Sequence, residues 1–259
     1  MFRRSNRIKR PSLFWLLTEA GRATAEIGIS YPYRYLFAEK NSGDGHPVIV
    51  LPGFMATDAS TIQLRDYINK LGYTALPWKM GRNYGHTHYI EQLGEYVDQL
   101  YQLHGCKVSI IGWSLGGIFA RQLAKAHPDK VRQVITLGAP FRGVGKANNV
   151  AWLYNFLKGT RRVAPASQEL LDDLPKPAPV PTTAIYTKQD GIVPWQLCME
   201  EKETRIHQNI EVRSSHFGMA HNPSVLRIIA DRLQLEEYSW REFSTNYMLE
   251  DWILYPSVS

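Results

Sequence analysis

Short apolar segments and amphipathic segments alternate along the chain from His46 to Leu233. The apolar segments have the length of buried strands, and the amphipathic ones repeat their apolar residues every three or four positions, as helices do. The predicted strands are 47–51, 73–76, 107–111, 133–137, 183–186 and 209–212. The predicted helices are one that follows a cap at Thr57 or Asp58 and runs to about Leu71, and then 90–104, 115–126 and 223–233. This alternation predicts an α/β fold with a mostly parallel central sheet and helices on both faces.

One stretch, residues 142–181, interrupts the alternation. It contains a proline-rich run with Pro175, Pro177, Pro179 and Pro181. Strands are predicted on both sides of it and a single sheet needs all of them, so we expect a short cap or lid insertion within one domain that spans 1–259. The aromatic part of the insertion, 150–157, predicts either an apolar lid helix over the cleft or a helix packed permanently on the body.

The two ends of the chain differ in composition from the body. The first ten residues hold five basic residues and no acidic one, namely Arg3, Arg4, Arg7, Lys9 and Arg10. Lys and Arg total 30, so the other 25 nearly balance the 24 acidic residues. The body therefore offers no basic surface to a nucleic acid, and we expect no nucleic-acid partner. The tail, 236–259, is rich in aromatic residues and is expected to pack on the body or on a partner chain.

The segment 1–43 combines the basic arm with a predicted helix. An apolar run, Leu13–Leu17, follows the arm, but it is too short for a secretory apolar region of about 7–15 residues or a membrane span of about 20. We therefore expect a cytoplasmic protein. Basic residues followed by apolar ones predict peripheral contact of residues 1–17 with an anionic membrane surface. The favoured alternative is a helix that packs on the body through the apolar run and continues through Ala20, Ala23 and Ile27; binding of the arm to a nucleic acid is the least favoured.

The segment Gly112-Trp113-Ser114-Leu115-Gly116 matches the pattern G-x-S-x-G. The pattern alone is common, but here a predicted strand precedes it and a predicted helix follows at once. In this strand–turn–helix arrangement a serine is forced to the tip of a strained turn, and the glycines allow a close approach of the backbone. Ser114 would then face a cleft at the carboxyl ends of the strands, above a helix N-terminus. Ser114 is therefore the candidate nucleophile, and a turn that only connects strand to helix is the alternative.

With this segment, the sequence resembles the α/β-hydrolase superfamily, and within it the lipase and esterase members. The resemblance covers about residues 46–235 and rests on four segments. They are Leu51-Pro52-Gly53-Phe54 after the first strand, Gly112-Trp113-Ser114-Leu115-Gly116-Gly117, Asp190-Gly191 after a late strand and Ser215-His216-Phe217-Gly218-Met219 after the last one. The resemblance implies the α/β-hydrolase fold and a triad in the chain order serine, acid, histidine, which Ser114, Asp190 and His216 supply.

Each partner of the serine also has a physical argument of its own. A serine hydroxyl needs a base to remove its proton, and a histidine held by a carboxylate can act as that base. Asp190 lies just past the carboxyl end of the predicted strand 183–186, where such a carboxylate must sit; an aspartate that only forms a turn is the alternative. His216 and His221 both follow the last predicted strand. We favour His216, because His221 directly precedes the helix cap Asn222.

The remaining candidate residues belong to the cleft around the serine. An oxyanion hole needs two backbone N–H groups that point at one oxygen atom, and the candidates are those of Leu115 and Phe54. The candidate substrate contacts are Trp113, Trp152 and Phe156. The loop 81–83 lies near the cleft rim and is expected to be solvated, with a substrate role as the alternative. No phosphate loop, dinucleotide fingerprint or metal motif appears in the sequence, so we expect no cofactor and no metal.

The leading functional hypothesis is a serine hydrolase that cleaves carboxylic esters of small molecules or lipids through an acyl-enzyme. An acyltransferase or a thioesterase with the same triad is the closest alternative, since the same acyl-enzyme would form in each case. A non-catalytic binding protein with the α/β-hydrolase fold is a further alternative. Such a protein has no physical need for all three of Ser114, Asp190 and His216.

Overall fold

The computed structural model describes residue 8 and residues 10–36, 43–143, 167–245 and 254–258. The strands in this part of the chain are β1 (Pro47–Leu51), β2 (Thr74–Pro77), β3 (Val108–Trp113), β4 (Val131–Leu137), β5 (Thr182–Tyr186) and β6 (His207–Glu211). They form one sheet in the order β2-β1-β3-β4-β5-β6, and every neighbouring pair is parallel. The predicted parallel sheet is confirmed, and each strand begins and ends within two residues of its predicted bounds.

The two faces of the sheet are covered by different helices. The described helices are α1 (Leu13–Leu36), α2 (Ile62–Lys70), α3 (Tyr89–His104), α4 (Leu115–Ala126), α5 (Gln168–Asp173) and α6 (Pro223–Leu233). One hydrophobic cluster joins α3 and α4 to strand residues such as Ile49 and Ile110. The other joins α2 and α6 to Val48 and Ile111, which are their neighbours in the chain. Successive strand residues therefore point to opposite faces that are both buried, which explains why the strands are continuous apolar runs in the sequence.

The helix ends follow the predicted signals with one exception. The side chain of Asn222 caps α6 by accepting a hydrogen bond from the backbone N–H of Ser224 at 2.9 Å. Gly105 ends α3 with a φ of 66°, a value that favours glycine. The helix predicted to follow a cap at Thr57 or Asp58 has Thr57 as its cap but begins with a 3₁₀ turn. Asp58–Thr61 form a 3₁₀ turn capped by Thr57, and α2 follows this turn.

Helix α1 packs on the body, but four of the five side chains in its apolar run face solvent, and only Trp15 is half-buried. Leu13 and Leu17 are 74% and 83% exposed, and Ile27 is also exposed. The buried positions of the helix include Glu19 and Ala23. The expectation that the apolar run is the packing face is wrong, because Glu19 turns inward and accepts hydrogen bonds from loops of the body.

The insertion and the tail are described only in part. Residues 144–166 of the insertion lie outside the described residues. The described end of the insertion contains α5 and then enters the core, where Ala178 and Val180 are buried. In the tail, Phe243 is buried in the cluster beneath α2 and α6, whereas Tyr238 is exposed. None of the helices in the described ranges is long and apolar enough to cross a lipid bilayer.

Candidate active site

Ser114 lies at a sharp turn between β3 and α4. Its backbone has a φ of 52° and a ψ of −119°, a combination that residues other than glycine rarely adopt. The turn is also crowded. A Cβ atom at Gly112 would lie 2.3 Å from the Cα of Gly117, and a Cβ atom at Gly116 would lie 2.4 Å from the carbonyl oxygen of Leu51. Backbone contacts therefore require the glycines of the motif, and Ser114 sits at the tip of the predicted strand–turn–helix.

Asp190 follows β5, and its two carboxylate oxygens have separate partners. Oδ1 accepts hydrogen bonds from the backbone N–H groups of Ile192 at 2.8 Å and Val193 at 2.6 Å. Oδ2 lies 2.7 Å from Nδ1 of His216. Both side chains of this pair are almost completely buried. Because the loop fixes the carboxylate, the carboxylate fixes the imidazole ring, and Nε2 is left as the nitrogen that can accept a proton.

Opposing effects act on the imidazole of His216. Burial lowers its pKa, because the charged form loses water, whereas the Asp190 carboxylate raises the pKa through its charge and its hydrogen bond. The charge of Glu19 raises the pKa further. The two carboxylates prevail, so the pKa of His216 lies above its ordinary value. His216 is therefore a stronger base than a free imidazole.

A cavity of about 440 Å³ opens beside Ser114 and His216. Small-molecule sites commonly have volumes of roughly 300–1,000 Å³. The rest of the lining is mostly apolar and consists of Gly53, Phe54, Met55, Ala56, Trp113, Ile192, Val193 and Phe217. The cavity thus joins an apolar surface to a hydroxyl and an imidazole, which suits a ligand that carries a reactive group on an apolar body.

The structure brings most of the predicted site residues together. Ser114, Phe54, Trp113 and His216 line the same cavity, and Asp190 is bonded to His216. Leu115 is the first residue of α4, directly after Ser114. Trp152 and Phe156 lie outside the described residues. His221, the alternative histidine, is not among the described residues that line the cavity.

One hydrogen bond and one close approach of the backbone define where the cavity wall lies relative to the serine. The indole Nε1 of Trp113 donates a hydrogen bond to the carbonyl oxygen of His216 at 3.0 Å. A Cβ atom at Gly53 would lie 3.4 Å from the Cβ of Ser114. The turn that carries Phe54 therefore passes directly beside Ser114. The loop that carries His216 is hydrogen-bonded to Trp113, the residue before Ser114.

Residues 47–188 match the sequence profile of the palmitoyl protein thioesterase family. The match covers more than half of the chain and includes β1 to β5 with the turn of Ser114. The chain belongs to the palmitoyl protein thioesterase family. Asp190 and His216 lie beyond the matched range.

The chain is similar to one curated serine hydrolase in sequence and to solved lipase structures in fold. The human serine hydrolase BPHL is 30% identical over 113 residues, which are 39% of this chain and 38% of that protein. Lipase B of Aspergillus fumigatus superposes with a TM-score of 0.55 at 18% identity and covers 78% of this chain and 56% of that one. A monoacylglycerol lipase of Paleococcus ferrophilus superposes with a TM-score of 0.52 at 16% identity and covers 73% and 96%. The chain spans less than half of the length of BPHL, and the structural similarity confirms the predicted α/β-hydrolase fold.

Asn83 supports the turn beside the serine in a way that the sequence did not reveal. This residue is fully buried. Its side-chain Nδ2 donates to the carbonyl oxygen of Pro52 at 2.8 Å, and its backbone exchanges hydrogen bonds with Met55 at 2.7 Å and Ala56 at 2.8 Å. The expectation of a solvated loop is wrong for Asn83; the available signal was an asparagine two residues after Gly81 near the cleft rim.

Charged side chains of α1 hold the two loops that carry Asp190 and His216. Glu19 accepts hydrogen bonds from the backbone N–H groups of Gly191 at 3.2 Å and Phe217 at 2.9 Å. Arg22 donates to the carbonyl oxygens of Gln189 and Ser214 and pairs with Glu19 at 2.8 Å. Sequence reasoning missed these contacts, because charged residues three or four positions apart on a helix are usually solvated.

Glu26 extends the same polar face of α1. Its carboxylate accepts hydrogen bonds from the backbone N–H of Ser215 and the hydroxyl of Ser214, both at 2.7 Å. Burial raises the pKa of Glu26, and the hydrogen bonds only partly offset this effect. The loop before His216 is therefore fastened to α1 at two successive helical turns.

Two histidines outside the candidate active site make buried hydrogen bonds within the body. Nε2 of His46 bonds to the hydroxyl of Ser109 at 2.8 Å, and Nε2 of His207 bonds to the carbonyl oxygen of Ala178 at 2.8 Å. In the part of the chain that the structure describes, no three His, Cys, Asp or Glu side chains are grouped so that they could hold a metal ion.

Proposed function

We propose that this protein is a serine hydrolase that cleaves acyl esters through an acyl-enzyme on Ser114. The observation that carries the proposal is the buried Asp190–His216 pair at the wall of a cavity that Ser114 also lines. A serine at a strained turn, a histidine oriented by a carboxylate and an apolar cavity are the parts that acyl transfer requires.

In the first half of the reaction, Nε2 of His216 takes the proton of the Ser114 hydroxyl as Oγ attacks the carbonyl carbon of the substrate. The carbonyl oxygen becomes an oxyanion, which the backbone N–H groups of Phe54 and Leu115 are proposed to stabilise. The intermediate then collapses. His216 returns the proton to the leaving oxygen or sulfur, the bond to the leaving group breaks, and the acyl group remains on Oγ.

In the second half, water takes the place of the leaving group. His216 removes a proton from the water as its oxygen attacks the acyl carbon, and the proton then goes to Oγ when the acyl–serine bond breaks. The products are a carboxylic acid and the free enzyme. Asp190 stabilises the imidazolium in both halves and keeps Nδ1 protonated.

A thioester is the second candidate substrate, and the family match favours it. The family is named for palmitoyl protein thioesterase activity, and the profile match includes Ser114. The same acyl-enzyme forms from an ester or a thioester, since the two differ in the leaving group alone. The apolar lining that includes Phe54, Trp113 and Phe217 would contact the acyl chain in either case.

Paired substrates test the proposal and separate the two candidates. Oxygen esters and thioesters with the same acyl chains, from acetyl to palmitoyl, are hydrolysed by the wild type and by Ser114→Ala. We expect the wild type to release the acid and the variant to lose on the order of 10⁶ in kcat, with the fold retained. The ratio of kcat/KM within each pair identifies the preferred leaving group. A variant as active as the wild type would contradict the proposal, and an acyl product that appears only with an added alcohol would indicate an acyltransferase.

A further inference from the structure

Helix α1 exposes large apolar side chains near both ends of its outward face. The exposed residues between them are uncharged and mostly small, namely Ala20, Gly21, Thr24, Ala25, Ile27 and Gly28. Leu13 is 74% exposed, Phe14 62% and Leu17 83%, and Ile29 and Tyr31 are each 61% exposed. Between residues 13 and 32, where side chains are described, no exposed residue is charged. Exposed apolar side chains that occur singly are normal, but a contiguous set of them marks an interaction surface.

The orientation of α1 is fixed by its charged residues. Glu19, Arg22 and Glu26 follow one another at helical spacing and face the body, where each has hydrogen bonds to loop backbone. A rotation of the helix that buried Leu13 and Leu17 would break these bonds and leave loop N–H groups without partners. The helix is therefore inverted relative to an ordinary surface helix, with its polar side inward and its apolar side outward.

We propose that the exposed face of α1 docks on the surface of an anionic lipid bilayer. The charge of the neighbouring sequence indicates this partner, because five of the first ten residues are basic and none is acidic. Apolar residues that enter the headgroup region together with nearby cations are the combination by which a peripheral helix binds an anionic leaflet. A second copy of this chain fits less well, since it would bring five more cations and no acidic segment to pair with them.

The docking face lies next to the opening of the cavity. Glu19 of α1 bonds to the backbone of Phe217, which lines the cavity and is 49% exposed. A Cβ atom at Gly191 would lie 2.6 Å from the backbone of Trp15, so the first turn of α1 touches the loop that continues to Ile192 and Val193 of the lining. Docking would place the cavity opening near the lipid, but the binding itself does not depend on the proposed hydrolysis.

Sedimentation of the full chain with lipid vesicles tests this inference. One set of vesicles contains equal parts of phosphatidylcholine and phosphatidylglycerol, and the other contains phosphatidylcholine alone. We expect binding to the anionic vesicles that weakens as salt is added and much weaker binding to the neutral ones. The joint change Leu13→Ser, Phe14→Ser and Leu17→Ser should weaken binding at least about tenfold, since all three side chains enter the lipid.

A matched pair of single variants provides the control. Leu17→Ser removes one exposed leucine from α1, and Leu103→Ser removes a similarly exposed one, at 77%, from α3. The first variant should bind the anionic vesicles less tightly than the wild type, and the second should bind like the wild type. The inference is overturned if the wild type does not bind, if the triple variant binds as tightly as the wild type, or if both single variants weaken binding equally. A wild type that forms dimers that the triple variant cannot form, without binding vesicles, would also overturn it in favour of a second copy.

Discussion

Ser114 holds a backbone conformation that costs free energy, and the surrounding contacts maintain it. Its φ of 52° and ψ of −119° lie outside the regions open to most side chains. Such a residue destabilises a fold by about 1–3 kcal/mol. The backbone N–H of Ser114 donates to the carbonyl oxygen of Leu137 at 2.8 Å, and its carbonyl oxygen accepts from Gly117 at 3.0 Å. The turn therefore stores strain at the one position where the proposed function needs an exposed hydroxyl.

This strain can be measured by comparing two variants that both lack the hydroxyl. Ser114→Gly should have a free energy of unfolding about 1 kcal/mol higher than that of Ser114→Ala, because glycine adopts this conformation without a Cβ penalty. Urea denaturation of both proteins gives the difference. If the alanine variant were the more stable one, the turn of Ser114 would not be strained.

The pKa of His216 predicts how the activity depends on pH. A general base must be neutral, so activity is lost as the pH falls through the pKa of His216, which lies above the ordinary value of about 6.5. The acidic limb of kcat/KM should therefore have its midpoint above that value. Asp190→Asn should move the midpoint down, because the carboxylate that raises the pKa is gone, and it should lower kcat by about 10⁴. An unchanged midpoint in Asp190→Asn would show that the base is another group.

At the scale of elements, the strands and helices that local residue patterns determine could be predicted from the sequence. The strand before Ser114 and the helix after it are adjacent in the chain, so the turn between them was predictable. The edge position of Asp190 and His216 followed from the predicted strands before them, and their contact follows from the pairing of β5 with β6.

The face of α1 could not be predicted from its own residues. Its partners are backbone groups of Gly191 and Phe217, which lie more than 170 residues away in the sequence. A local pattern shows which residues are apolar but not which distant loop offers unpaired N–H groups. The hydrophobic effect favours burial of the apolar run, and in this helix the buried hydrogen bonds of Glu19 and Arg22 prevail instead.

Helix α1 should also influence the base electrostatically. Asp190 and Glu19 are the carboxylates that raise the pKa of His216, and Arg22 is paired with Glu19. Glu19→Gln keeps the size of the side chain and removes its charge, so the pKa of His216 should fall. A titration of the His216 imidazole by NMR measures the shift without requiring any activity. Glu26→Gln on the same helix serves as the control and should leave the pKa unchanged, whereas an equal shift in both variants would contradict a specific effect of Glu19.

At the scale of the whole molecule, the sheet collects the site from distant parts of the chain. Ser114 follows β3, Asp190 follows β5 and His216 follows β6, and parallel strands bring their carboxyl ends to one edge. The helix at the start of the chain then fastens the two outer loops from the side. The sheet topology thus brings the serine, the histidine and the cavity together, and we propose that they act together in acyl transfer.

Covalent labelling by a fluorophosphonate tests this claim most directly. The reagent reacts with a serine only when a base activates its hydroxyl, and peptide mass spectrometry locates the modified residue. We predict one labelled site, at Ser114, with labelling lost in Ser114→Ala and strongly slowed in His216→Ala, while His221→Ala is labelled at nearly the wild-type rate. Labelling that persists undiminished in folded Ser114→Ala, or a wild type that is not labelled at Ser114, would contradict the account.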